Sequence, residues 1–316
     1  MARSVSLQVF ALGLQGRRHW LVGGAVLKQV FASFSGLLVC SAAFAQQIPL
    51  KSYGQELVDQ TLVGNPDILV MALHSKLPHS ADIGIVASNI GRYGKKADED
   101  DMRVINTGRP NLELAHGGTR FEVEEALKDV SGDTIGAVGI VFPYHAGTDR
   151  RALQSRAEAI RDALARRITN AGNLLEQYPY DPAATTRPHA QKIVDTTMAR
   201  HPDLLIMALH VTPPGGSANV ILASSIGRIG KKADEDDMKV VDTGQPLLEV
   251  NAATHRRFEV EVALQDAAGK RIGALSTVFA YAPGDQQAAF LRRAEAIRDE
   301  LRPQIPSVES LVVLDP

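Results

Sequence analysis

Two short loops carry the residue types best suited to holding an anion. The first is Gly91-Arg92-Tyr93-Gly94-Lys95-Lys96, and the second is Gly227-Arg228-Ile229-Gly230-Lys231-Lys232. Paired glycines let a backbone turn tightly enough for its amides to converge, and a helix N-terminus following such a turn favours negative charge. Arg92 and Arg228 can each grip a carboxylate through two parallel hydrogen bonds, with Lys95, Lys96, Lys231 and Lys232 adding positive charge. The same residues also admit a structural reading, in which the lysines pair with nearby acids and the glycines only shape the turn. His74 and His210 end apolar runs in the two halves of the chain. Each is placed to hydrogen-bond an anionic ligand or to sit as a satisfied strand-end histidine. One histidine per half is poor metal-ligand spacing, so no metal site is expected.

Each loop is followed by an acidic run, Asp98-Glu99-Asp100-Asp101 and Asp234-Glu235-Asp236-Asp237. Acids are favoured in a first helical turn by the helix dipole alone. The spacing of a calcium loop is absent, so these runs read as solvated helix starts. No nucleophile elbow, P-loop, HExxH or dinucleotide fingerprint is present. An enzyme is therefore not expected, and neither is a cofactor.

The elements that must position these residues occur twice. Ile90–Met102 returns as Ile226–Met238 with Tyr93/Ile229 the sole difference, and Met71-Ala72-Leu73-His74 returns as Met207-Ala208-Leu209-His210. Phe121-Glu122-Val123-Glu124 matches Phe258-Glu259-Val260-Glu261, and Arg156–Asp162 matches Arg293–Asp299. Each unit is too long for a solenoid repeat and reads as a whole small domain.

In each copy a short helix comes first, at Gln55–Val63 and Ala190–Arg200. Apolar runs Ile68–His74 and Leu204–His210 suit buried strands, and Ile83–Asn89 and Asn219–Ser225 follow as strands. The loops and acidic helices come next, at Ala97–Val104 and Ala233–Val240. Phe121, Val123 and Leu127 then alternate with Glu122 and Glu124, the mark of a strand with one face buried. Asp129-Val130-Ser131-Gly132 and Asp266-Ala267-Ala268-Gly269 read as hairpin turns. Return strands Ile135–Tyr144 and Ile272–Tyr281 lead to closing amphipathic helices at Asp149–Ile168 and Gln286–Leu301. Pro179, Pro182 and Pro188 mark a stiff linker.

The first 45 residues read as a targeting segment. Arg3, Arg17 and Arg18 precede an apolar stretch that ends in Ala43-Phe44-Ala45, a small-x-small cleavage pattern. Arg17-Arg18-His19-Trp20-Leu21 resembles a twin-arginine export motif, and a general secretory signal is the alternative. Cleavage after Ala45 would remove Trp20 and Cys40, the only tryptophan and cysteine. Disulfides and thiolate chemistry would then be excluded. No later stretch has the roughly 18 apolar residues of a membrane span, so a soluble periplasmic product is expected. The formal charge of −2 argues against a nucleic-acid partner.

The order of helix, antiparallel strands with an inserted helix, and closing helix resembles the extracytoplasmic PAS-like sensor fold of the Cache or PDC type. The resemblance is carried by Ala87-Ser88-Asn89-Ile90-Gly91-Arg92, by Asp100-Asp101-Met102-Arg103-Val104, and by the hairpins Leu127–Ala137 and Leu264–Ala274. It implies an α+β fold of two tandem domains, each a central antiparallel sheet flanked by N- and C-terminal helices. The domains would span 46–170 and 189–316, joined by a linker at 171–188. It further implies a small-molecule ligand, here a carboxylate or other small organic anion. The alternatives are a non-enzymatic cell-envelope adaptor that contacts a membrane-protein partner, and a metal-dependent enzyme using the acidic runs.

Overall fold

The computed structural model describes residues 51–314; the targeting segment lies outside the described residues. The elements run β1 Lys51–Ser52, α1 Tyr53–Gly64, β2 Val70–Lys76, β3 Ile83–Ser88, α2 Glu99–Thr107, β4 Asn111–Ala115, β5 Arg120–Lys128, β6 Thr134–Pro143 and α3 Arg150–Ala165. The second half follows with β7 Gln177–Tyr178, α4 His189–Arg200, β8 Leu204–Val211, β9 Val220–Ser224, α5 Glu235–Thr243, β10 Leu247–Val250, β11 Arg257–Gln265, β12 Arg271–Ala280, α6 Gln287–Leu301 and α7 Val308–Val312. Among the described residues this is a mixed α/β structure with two five-stranded antiparallel sheets and seven helices. No described helix is long and apolar enough to cross a membrane.

The first sheet has the order β3-β2-β6-β5-β4 and the second has β9-β8-β12-β11-β10, the same order in the same sense. Alternation along β5 sorts its side chains. Phe121, Val123 and Leu127 enter the core with Met71 and Leu73, against Leu57 and Val58 of α1 and Ala157, Ile160 and Leu164 of α3. Glu122 and Glu124 take the opposite face, under α2. In the second module Phe258, Val260, Val262 and Leu264 pack with Ile193 and Val194 of α4 and with Ala294 and Ile297 of α6.

The hairpin glycines are required by close approach. A Cβ on Gly136 or Gly273 would fall on the carbonyl oxygen of His74 or His210 in the neighbouring strand. This accounts for the recurring Ile-Gly-Ala at the start of each return strand.

The segment expected to be a spacer is packed instead. Residues 171–175 form a 3-10 turn whose Leu174 is fully buried in the first core, and β7 pairs antiparallel with β1. The Tyr53 amide donates to the Glu176 carbonyl at 2.8 Å. The C-terminal end mirrors this, because the His189 amide donates to the Val313 carbonyl at 2.7 Å. In both modules the chain that follows the closing helix returns to hold the start of the first helix.

Candidate functional site

The acidic runs begin helices, as their composition suggests, and their last member does more. Asp98 is the N-cap of α2, and its side chain accepts from the Asp101 amide at 3.2 Å while Asp101 accepts from the Asp98 amide at 2.9 Å. Asp234 and Asp237 make the same reciprocal box on α5. Such a box satisfies helix-end amides that otherwise lack partners. It also fixes the fourth acid of each run against the sheet, where Asp101 and Asp237 are buried.

There each meets the strand histidine. His74 Nδ1 lies 3.2 Å from Asp101 Oδ1, and His210 Nδ1 lies 3.2 Å from Asp237 Oδ2. These are contact distances, though neither Nδ1 meets the geometry of a full hydrogen bond. Glu124 on β5 and Glu261 on β11 join from the next strand pair across, both buried. His210, Asp237 and Glu261 each place a donor atom within 4.8 Å of the other two.

Burial pushes the Glu261 carboxyl up to about 9, and neighbouring Asp237 adds to the rise. Asp237 moves the other way. Burial alone would raise it, but His210 and the hydrogen bonds it accepts outweigh that and hold it below its ordinary range. Glu124 is pushed up to about 7, first by burial and then by Asp101, with Asn111 pulling it down. Burial lowers His74, with Asp101 opposing.

Beside this glutamate the two copies differ on both neighbouring strands, Asn111 against Leu247 on one side and Gly139 against Ser276 on the other. Asn111 stands opposite Glu124 and donates to its Oε2 at 3.2 Å. Leu247 stands opposite Glu261 and has nothing to donate, and Glu261 Oε2 is buried without a hydrogen bond. Nearby, Ser276 Oγ donates to Glu259 Oε1 at 2.5 Å.

In the second module these groups form the floor of a cavity of about 310 Å³, with Glu259, Lys231 and Lys232 also in its lining. Thr169 and Asn170 of the first module close one side.

The loops expected to cradle an anion behave differently. Their amides are in use: Gly94 and Lys95 donate to the Ile85 and Arg92 carbonyls, and Gly230 and Lys231 to the Ile221 and Arg228 carbonyls, all at 2.9 Å. Arg92 and Lys95 are exposed, and Lys96 pairs with Asp82 at 2.9 Å. Arg228 is held by Glu176, its Nε and Nη2 each donating at 2.9 Å. The structure thus brings His210, Arg228, Lys231 and Lys232 to the lining of one cavity, with Arg228 held there by Glu176 of the segment between the modules. Glu124 and Glu261 were not among the expected site residues, and Asp101 and Asp237 entered only as members of the acidic runs, read as solvated helix starts with a metal-binding alternative. The Asp-x-x-Asp spacing of the capping box, together with a glutamate recurring on the face opposite Phe121, was the available signal.

No family model matches the chain, and no curated protein matches it. Among solved structures it is similar to the repressor BlcR of Agobacterium tumefaciens, at 11% identity and a TM-score of 0.29, over 37% of this chain and 67% of that one. A GAF domain of A. aeolicus nlh2 shares 13% identity at a TM-score of 0.28, over 35% and 86%. An extracellular ligand-binding receptor from Desulfohalobium retbaense shares 12% at 0.23, over 74% and 34%. At this level of similarity, function is argued from the site itself.

Proposed function

We propose that the chain is a sensor-like protein that binds a small polar organic acid in the cavity of its second module. The observation that carries this reading is the cavity itself. Its volume lies at the lower end of the range for small-molecule sites. Its floor includes His210 Nδ1 and Glu261 Oε2, which are buried without a hydrogen bond, a costly arrangement unless a partner completes it. Lys231 and Lys232 supply positive charge for a carboxylate, while hydroxyl or amino groups of the same ligand would meet the acidic floor. We read the chain as exported through its N-terminal segment, which N-terminal sequencing of the periplasmic fraction would test.

A thermal-shift screen of small hydroxy and amino acids, run in chelator, tests the binding. At least one compound should raise the melting temperature by several degrees, and Lys231→Ala should reduce that rise. If no compound shifts the protein, or if the shift survives both Lys231→Ala and Ser276→Ala, the cavity is not the site.

A further inference from the structure

We propose that His210, Asp237 and Glu261 bind one divalent transition-metal cation, with Zn²⁺ as the probe ion. The donor set is one imidazole nitrogen and two carboxylates, a combination that suits zinc and its first-row neighbours. The three residues come from three separate elements, β8, α5 and β11, so their convergence is a product of the fold rather than of local sequence.

The spacing is close to that of a bound ion. Donors around a tetrahedral zinc stand about 3.4 Å apart. His210 Nδ1 and Asp237 Oδ2 are already 3.2 Å apart, and all three donor atoms lie within 4.8 Å of one another. Small side-chain rotations close the remainder.

The state of the donors points the same way. His210 and Glu261 are 5% and 4% exposed, and His210 Nδ1 and Glu261 Oε2 complete no hydrogen bond. Such atoms are ordinarily satisfied. Both residues belong to the group of three whose donor atoms lie within 4.8 Å of one another.

The first module supplies an internal contrast. It has the same histidine and aspartate at the same 3.2 Å, but its glutamate is engaged by Asn111. With Leu247 in that position, the second module's glutamate lacks that amide donor. Three protein donors at a cavity wall leave a coordination position open to a water or ligand, as in zinc sites that turn over or exchange ligands. The proposal shares the cavity described above but does not require the organic acid.

The test is isothermal titration of the full chain with ZnCl₂ after stripping with chelator, with no organic ligand added. One saturable equivalent per chain is expected. His210→Ala and Glu261→Gln should each weaken it at least tenfold, and His74→Ala should leave it in place. Leu247→Asn, which puts the first module's residue at this partly buried strand position and gives Glu261 a hydrogen-bond donor, should weaken it while the circular dichroism spectrum stays unchanged. The proposal is overturned if no saturable equivalent appears, or if binding persists in both His210→Ala and Leu247→Asn. A chain that takes up an organic acid in chelator but no zinc overturns the metal site alone. A chain that binds zinc but no organic acid overturns the ligand reading alone.

Discussion

Glu124 is a carboxyl held where an ionised carboxylate is costly. Burial raises it to about 7 from its ordinary 4.5, with Asp101, Glu122 and Asp98 adding repulsion and Asn111 offsetting part of it. Across that window the folded chain keeps a proton that the unfolded chain has released, so stability falls as pH rises from 4.5 to about 7. His74, which like Glu124 interacts with Asp101, acts in the opposite direction. Burial lowers it, so its contribution is present above 6.5 and is lost as pH falls through its depressed value. Glu124→Gln removes the first slope and leaves the second. In chelator, the melting temperature of the variant should therefore gain on that of the wild type as pH rises from 5 to 7.5. Equal slopes in scanning calorimetry would show that Glu124 is not the group responsible.

Most of the elements could be read from the chain, because apolar period and turn residues specify them locally. The alternation of Phe121, Val123 and Leu127 with Glu122 and Glu124 placed β5 and its two faces correctly. The strand pair of β1 with β7 was not legible, since two residues carry no period and their pairing depends on the return of the chain after α3. The site was half legible. His74 and His210 stood out as residue types, but the significance of Asp101 and Asp237 depends on the capping box that aims them. That box yields a prediction for the element. Replacing an aspartate N-cap by alanine typically costs about 1 kcal/mol. Asp98→Ala and Asp234→Ala should each lose about that amount in urea denaturation, and the two losses should add, because the caps lie in separate modules. A neutral Asp234→Ala would mean that packing alone holds α5 on the sheet.

For the whole molecule, the duplicated loop has two uses, and the difference lies in what surrounds it. In the second module Ile229 is buried with the first module's core, and its carbonyl accepts from the Tyr180 amide at 2.7 Å. A Cβ on Gly227 would stand 2.6 Å from the Tyr53 ring, so that glycine serves close approach as well as turning. Arg257 crosses the same junction. Its guanidinium donates to Asp129 Oδ2 at 2.9 Å, to the Thr169 carbonyl at 2.9 Å and to Ser131 Oγ at 2.5 Å, and both charged side chains are buried. Arg256 pairs with Asp133 beside it. In the first module the counterparts Arg92 and Tyr93 are exposed and Arg120 is half-buried. Sequence identity between the copies could not reveal this, because burial is decided by the neighbour and not by the motif. Removing one member of a buried ion pair strands the other and costs about 3–5 kcal/mol, whereas a change at a partly solvated site usually stays within about 0.5 kcal/mol. Arg257→Ala should therefore destabilise the chain strongly and Arg120→Ala hardly at all, as measured by urea denaturation. Replacing Arg257 by methionine and Asp129 by asparagine, which keeps the acceptor for the Ser131 and Asp133 amides, should recover most of the loss, since it leaves no charge uncompensated. If the double variant is as unstable as Arg257→Ala, the junction depends on the hydrogen bonds to Ser131 and Thr169 rather than on the ion pair.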